Sequence, residues 1–182
     1  MKKRKLVAGA TGLCLVLGVS GVAVAANTAA VPKSITIKQK QSIKFVKNRF
    51  VQDGLRWNAD AYTVKSGGTI TVVNTAANEG PHTFTVVRKK DLPSSFRCPI
   101  CDKLAQAHGA DPNSDAPPKF QFLENGVGQN TPPSVDRPGD SGVTGQGKKG
   151  EKISFKVTAK RGKTLYFMCL IHPWMQAKVF VG

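Results

Sequence analysis

The sequence predicts an all-β domain, a sandwich or barrel of short strands with one long irregular insertion. Three observations predict it. Apolar and polar residues alternate over short runs, turn residues stand between those runs, and no segment carries a long apolar stripe of helical period.

The strands follow in order. Residues 34–46 alternate in part, with Ile35 and Ile37, then Ile43 and Phe45, set between Lys and Gln. Trp57–Val64 is a short β-prone run. Ser66-Gly67-Gly68 is a tight turn, and Thr69–Val73 is the strand after it. A polar loop leads from Asn74 to Gly80, and Thr83–Val87 is again β-prone. Near the C-terminus Ile153, Phe155 and Val157 alternate with Ser154 and Lys156. Arg161-Gly162-Lys163 forms a turn between this strand and the next, Thr164–Cys169, and Ala177–Val181 closes the chain. Residues 88–150 break the rhythm. They are rich in Pro, Gly, Asp, Asn and Lys, and only Leu104–His108 suggests a short helix. With few apolar residues of its own, this stretch reads as an irregular insertion at one end of the domain rather than a second domain.

The N-terminus reads as an address. Lys2, Lys3, Arg4 and Lys5 precede a run without charge from Leu6 to Pro32, and Ala23-Val24-Ala25 is a small-x-small finish. This is the layout of a secretory signal peptide, residues 1–25, cleaved after Ala25. The same run is long enough to span a bilayer as a retained anchor, although its Gly content and small-residue end favour cleavage. Residues 26–47 then form an N-terminal extension with the first strand, and residues 48–182 the main domain with its insertion at 88–150. The expected location is the periplasm, the extracellular space or the outer face of the cytoplasmic membrane.

The 182 residues carry 27 Lys and Arg against 11 Asp and Glu, a formal charge of +16. The basic residues are scattered rather than lined up with aromatics, and export argues against a nucleic-acid partner. The charge reads as a solvated surface that favours acidic proteins or anionic lipid. Membrane contact is expected only if the N-terminal segment is retained. The three His, His82, His108 and His172, are too few for polynuclear His-built metal enzymes. Cys14 leaves with the signal, so Cys98, Cys101 and Cys169 remain. Cys98-Pro99-Ile100-Cys101 has three readings: a local disulfide, favoured by an oxidising compartment; a second metal site with His108; and a redox motif, whose parallel-sheet context is absent. His108 otherwise reads as a loop residue. Cys169 has no partner, and a metal would hold it.

The chemistry concentrates in Tyr166-Phe167-Met168-Cys169-Leu170-Ile171-His172-Pro173-Trp174-Met175, between the last two strands. Upstream, Pro81-His82-Thr83 adds a second imidazole. One thiolate, two imidazoles and a weak thioether form the ligand set of a blue-copper site: the sulfurs suit Cu(I), the imidazoles suit Cu(II) as well, and the compromise keeps reorganisation small. Zinc seldom takes a thioether. Catalytic Cys–His chemistry would leave Met175 and one His unexplained.

With Cys169, His172, Pro173, Trp174 and Met175 in this spacing, the chain resembles the cupredoxins, most closely their amicyanin and plastocyanin branch. The resemblance covers about 48–87 and 151–182. It implies an eight-stranded Greek-key β-sandwich and one type 1 copper ion held by His82, Cys169, His172 and Met175. It also implies that His172, near solvent within an apolar patch that includes Pro173 and Trp174, is the electron gateway. Two positions depart from the family pattern. Thr83 stands where many members have Asn, and Ile171 stands where Pro is frequent, keeping an N–H that, aimed at the Cys169 sulfur, would stabilise thiolate charge. The expected function is a one-electron carrier between redox partner proteins, without a substrate of its own; the alternative is copper storage or delivery. A copper enzyme would need a second His set, and only His108 is left over.

Overall fold

The computed structural model describes residues 30–75, 80–111, 113–114, 116–144 and 148–182. The expected signal segment and Cys14 lie outside these. Among the described residues no helix is long and apolar enough to cross a membrane.

The strands are β1 (Ser34–Lys40), β2 (Ile43–Val46), β3 (Phe50–Asp53), β4 (Arg56–Trp57), β5 (Ala61–Val64), β6 (Thr69–Val73) and β7 (Thr83–Val87). A nine-residue helix, α1 (Pro99–Ala107), follows. Then come β8 (Phe122–Glu124), β9 (Val127–Gln129), β10 (Ser134–Val135), β11 (Ser141–Val143), β12 (Lys152–Val157), β13 (Thr164–Met168) and β14 (Gln176–Val181). One sheet has the order β10-β12-β6-β1-β4, the other β5-β14-β13-β7-β11-β8-β9, and β2 and β3 form a separate hairpin. The expected all-β sandwich is what the chain forms. The chain crosses between the sheets from β4 to β5, β5 to β6 and β6 to β7, and again at each step from β9 to β13, as Greek-key connections do.

Alternation explains the core. β12 reads exposed-buried throughout, sending Ile153, Phe155 and Val157 inward, and β6 sends in Ile70 and Val72. The facing sheet answers with Phe84, Val86, Leu165, Phe167, Val179 and Val181. Phe84 and Phe167 stack with ring centroids 4.5 Å apart at the centre. Gly142 in β11 is required by this packing. A Cβ there would meet Phe155 Cζ at 2.7 Å and Phe122 Cδ1 at 2.9 Å.

β7 is buried on both faces. Phe84 and Val86 enter the core, while Val87 joins Met168, Leu123 and Leu170 in a second cluster beneath α1. α1 brings Cys98, Cys101 and Leu104 to that cluster, so it covers the outer face of the seven-stranded sheet.

The expectation of an irregular insertion at 88–150 is corrected here. That stretch contains α1 and β8 to β11, and β11 pairs with β7 through Ser141↔Thr85 and Val143↔Thr83. The insertion therefore widens both sheets, β8, β9 and β11 extending the seven-stranded one and β10 the five-stranded one, and the sheets hold more strands than the eight implied by the resemblance. Its strands are too short to show a period, which hides them in the sequence. The helix begins at the cysteine pair, ahead of the expected Leu104. Cys98 is the N-cap, Pro99 opens the first turn, and the Cys98 sulfur accepts the Cys101 N–H at 3.2 Å. β1, outside the span of the resemblance, lies inside the five-stranded sheet, parallel to β6 and antiparallel to β4.

Candidate metal centre

β13 and β14 form an antiparallel hairpin whose connection, residues 169–175, lies at one pole of the sandwich. Its turn is closed by the Met175 N–H donating to the His172 carbonyl at 2.8 Å. The Cys169 N–H donates to the Met175 carbonyl at 3.0 Å. The Trp57 indole, across the core on β4, donates to the same carbonyl at 3.0 Å. The ligand loop is thus tied to both sheets.

His82 arrives at the same pole just before β7. Its backbone is gripped by Thr144, beyond the end of β11. The His82 N–H donates to the Thr144 hydroxyl at 2.9 Å, and the Thr144 N–H donates to the His82 carbonyl at 2.9 Å.

The result is a cluster of His82, Cys169 and His172 whose candidate ligand atoms all lie within 4.8 Å of one another. The Cys169 sulfur is 3.9 Å from His82 Nδ1 and 3.6 Å from His172 Nδ1. Two ligands on one ion, with bonds of about 2.0 Å to nitrogen and 2.3 Å to sulfur, stand about 3.6–3.8 Å apart. The spacing therefore fits a metal bound between the three atoms. Cys169 and His82 are fully buried, and among the described residues the His82 Nε2 has no hydrogen-bond partner, so its ring is held by packing and by what its Nδ1 faces. Met175 is fully buried and packs in the same core cluster as Cys169.

Electrostatics suit ligation. Burial, reinforced by His172, lowers His82 to about 4, so its ring is neutral at neutral pH and its Nδ1 lone pair is open to a cation. Burial pushes the Cys169 thiol up. The Thr83 N–H, donating to the sulfur at 3.3 Å, works against that, as do bonds from the backbone of His172 and Ile171 and from the Thr83 hydroxyl. The Thr83 hydroxyl also accepts the Leu170 N–H at 2.7 Å, which ties the two ligand segments together.

Toward solvent, the His172 ring meets Trp174 edge-on at 5.3 Å, and Trp174 meets Phe96 edge-on at 5.6 Å. Phe96 is 83 % exposed, and Ile171 stands beside the groove it helps line. Gln176 donates to the carbonyls of Pro93 and Pro173, pinning the insertion to the ligand loop.

Cys98 and Cys101 are joined as a disulfide, and among the described residues Cys169 is the free cysteine. His108 is not a ligand beside them. It is buried at the C-cap of α1, with Nδ1 2.8 Å from the Phe120 carbonyl and Nε2 2.9 Å from the Ser141 hydroxyl. His108 thus stands in the turn just past α1, as a loop residue would, but buried and bonded at both ring nitrogens. The sequence reading also missed Thr144 and Phe96. Both lie in the insertion, and no local pattern marks them.

No family model and no curated protein matches the chain. Solved structures similar to it include dithionite-reduced auracyanin from the photosynthetic bacterium Roseiflexus castenholzii. That structure has 16 % identity and a TM-score of 0.43, over 84 % of this chain and 99 % of the other. Auracyanin A, a "blue" copper protein from Chloroflexus aurantiacus, has 16 % identity and a TM-score of 0.41, over 83 % and 99 %. Rusticyanin from Thiobacillus ferrooxidans has 18 % identity and a TM-score of 0.33, over 82 % and 78 %.

Proposed function

We propose that the chain is an exported one-electron carrier with a single mononuclear copper site, held by His82, Cys169 and His172 with Met175 as a weak fourth ligand. The observation that carries this reading is the cluster of one buried thiolate-forming sulfur and two imidazole nitrogens at metal-ligand spacing. When bound, copper supplies a Cu(II)/Cu(I) couple. Soft sulfur and borderline imidazole donors suit both states.

The protein's residues do the rest. The Thr144 clamp and the Trp57–Met175 bond hold the donors in place, so electron transfer requires little rearrangement. Cys169 and His82 are sealed from water, while His172 is half-buried behind Trp174 and Phe96, which favours an electron path through that edge. The same closure supports transfer of electrons rather than of metal, since storage or delivery calls for an open ligand set. With His108 hydrogen-bonded elsewhere, no second His set is at hand for substrate chemistry, which supports a carrier rather than an enzyme. The basic surface suits acidic redox partner proteins. The N-terminal signal layout supports a site of action outside the cytoplasm.

The copper-loaded protein is expected to show an intense visible thiolate-to-copper band and a narrow copper hyperfine pattern in electron spin resonance. Both vanish in Cys169→Ser. A colourless protein, or an ordinary tetragonal copper spectrum, rejects the reading.

A further inference from the structure

Between α1 and the seven-stranded sheet runs a buried line of hydroxyls that ends on a histidine. His108 Nε2 lies 2.9 Å from the Ser141 Oγ. The Ser141 Oγ lies 2.7 Å from the Thr85 Oγ1, and the Thr85 hydroxyl is placed to donate to the Thr83 Oγ1 at 3.0 Å. Thr83 is the residue whose backbone N–H donates to the Cys169 sulfur at 3.3 Å, and its hydroxyl accepts the N–H of Leu170, next to Cys169, at 2.7 Å. Thr83, Thr85, Ser141 and His108 are all buried. The register explains the line: Ser141 and Thr85 are cross-strand partners, and Thr83 and Thr85 share one face of β7.

Counting protons assigns the direction. The Phe120 carbonyl only accepts, so His108 Nδ1 carries a proton, and in the neutral ring Nε2 is an acceptor. Ser141 then gives its one proton to His108. Thr85 has a single proton for two neighbouring oxygens, Ser141 at 2.7 Å and Thr83 at 3.0 Å. A neutral His108 therefore draws the line toward itself and away from the sulfur. A protonated ring donates to Ser141, Ser141 donates to Thr85, and Thr85 commits its proton to Thr83.

We infer that His108 is a positioning residue for the metal centre, whose protonation reverses the direction of the Ser141–Thr85–Thr83 hydroxyl line and so brings positive charge toward Thr83, the residue that donates its N–H to the Cys169 sulfur. This rests on the proposed copper reading. Positive charge brought toward the thiolate favours Cu(I), so the reduction potential rises as His108 gains its proton. Burial lowers the pKa of His108, opposed by its bond to the Phe120 carbonyl, which places the rise on the acid side of the ordinary histidine range.

Among the described residues no charged side chain lines the groove over the ring, whose walls include Ala105, Pro118, Val143 and Leu170. Of the ionised residues on the segments around it, Asp102, Lys103, Asp111 and Lys119 are exposed, and buried Asp140 accepts the N–H groups of Asn125, Asp136 and Arg137. β7 itself carries none.

The test is the reduction potential of the copper-loaded full chain against pH, for wild type, His108→Leu and Ser141→Ala. Wild type is expected to show a rise on acidification. Both variants, in which Thr85 is released toward Thr83, are expected to hold a raised potential with that component of the profile gone. A full hydrogen bond of about 1 kcal/mol shifts the Cu(I)/Cu(II) ratio about five-fold. The same profile in all three proteins, or variants with a lowered potential, overturns the inference, and so does a change confined to thermal stability. A second arm needs no copper. In the metal-free chain, the amide signals of Thr83 and Leu170 should follow the His108 ring in nuclear magnetic resonance, and should lose that component in Ser141→Ala. Absence of a blue band in wild type rejects copper alone. Amide signals that ignore His108 reject the line.

Discussion

Thr144 grips His82 through both backbone polar atoms, accepting its N–H and donating an N–H to its carbonyl, although 62 positions separate them. One candidate ligand is thus placed by a residue of the insertion. Thr144→Val keeps the shape and the backbone bond but removes the hydroxyl. The expected loss is about 1–2 kcal/mol of stability, because the His82 N–H is left buried without its acceptor, together with weaker copper binding. Denaturant unfolding of the metal-free chain and a copper competition titration check the two effects.

Acid should loosen the metal-free protein. His82 is held at about 4, and His108 is also lowered, so the native state refuses protons that the unfolded chain takes up from about 6.5 downward. Stability is complete above that ordinary value and is lost progressively as the pH falls toward 4. The urea midpoint of the metal-free chain, followed from pH 7 to pH 4, should fall. A flat midpoint contradicts the burial of these rings.

Phe96 extends the aromatic edge of His172 through Trp174 without touching the buried donors. Phe96→Ala should leave the visible spectrum and potential unchanged while slowing electron self-exchange several-fold, read from nuclear magnetic resonance line broadening. An unchanged rate removes Phe96 from the route.

At Gly142 a methyl group would strike the rings of Phe155 and Phe122. Gly142→Ala is therefore expected to cost about 1–3 kcal/mol by overpacking, measured as a lowered unfolding midpoint.

Much of this was open to sequence reasoning, for a physical reason. β6, β12 and β14 each face solvent or a hairpin neighbour on one side, so their alternation survives in the residue order. The loop from Cys169 to Met175 packs its donors into one turn, so its spacing speaks directly. β8 to β11 are too short for a period. His108, Ser141 and Phe96 gain their places from partners far along the chain, and only packing brings those together. Pro99 behind Cys98 was a usable helix-start signal, and the full length of α1 follows from it.

β7 answers to two masters. Its even positions, Phe84 and Val86, fill the sandwich, and its odd positions, Thr83 and Thr85, build the hydroxyl line under α1. Sliding this strand by one residue would plunge hydroxyls into the greasy interior and thrust a benzyl ring at His108 in the same stroke. Insertions and deletions in β7 should accordingly break the architecture and the cluster of His82, Cys169 and His172 together.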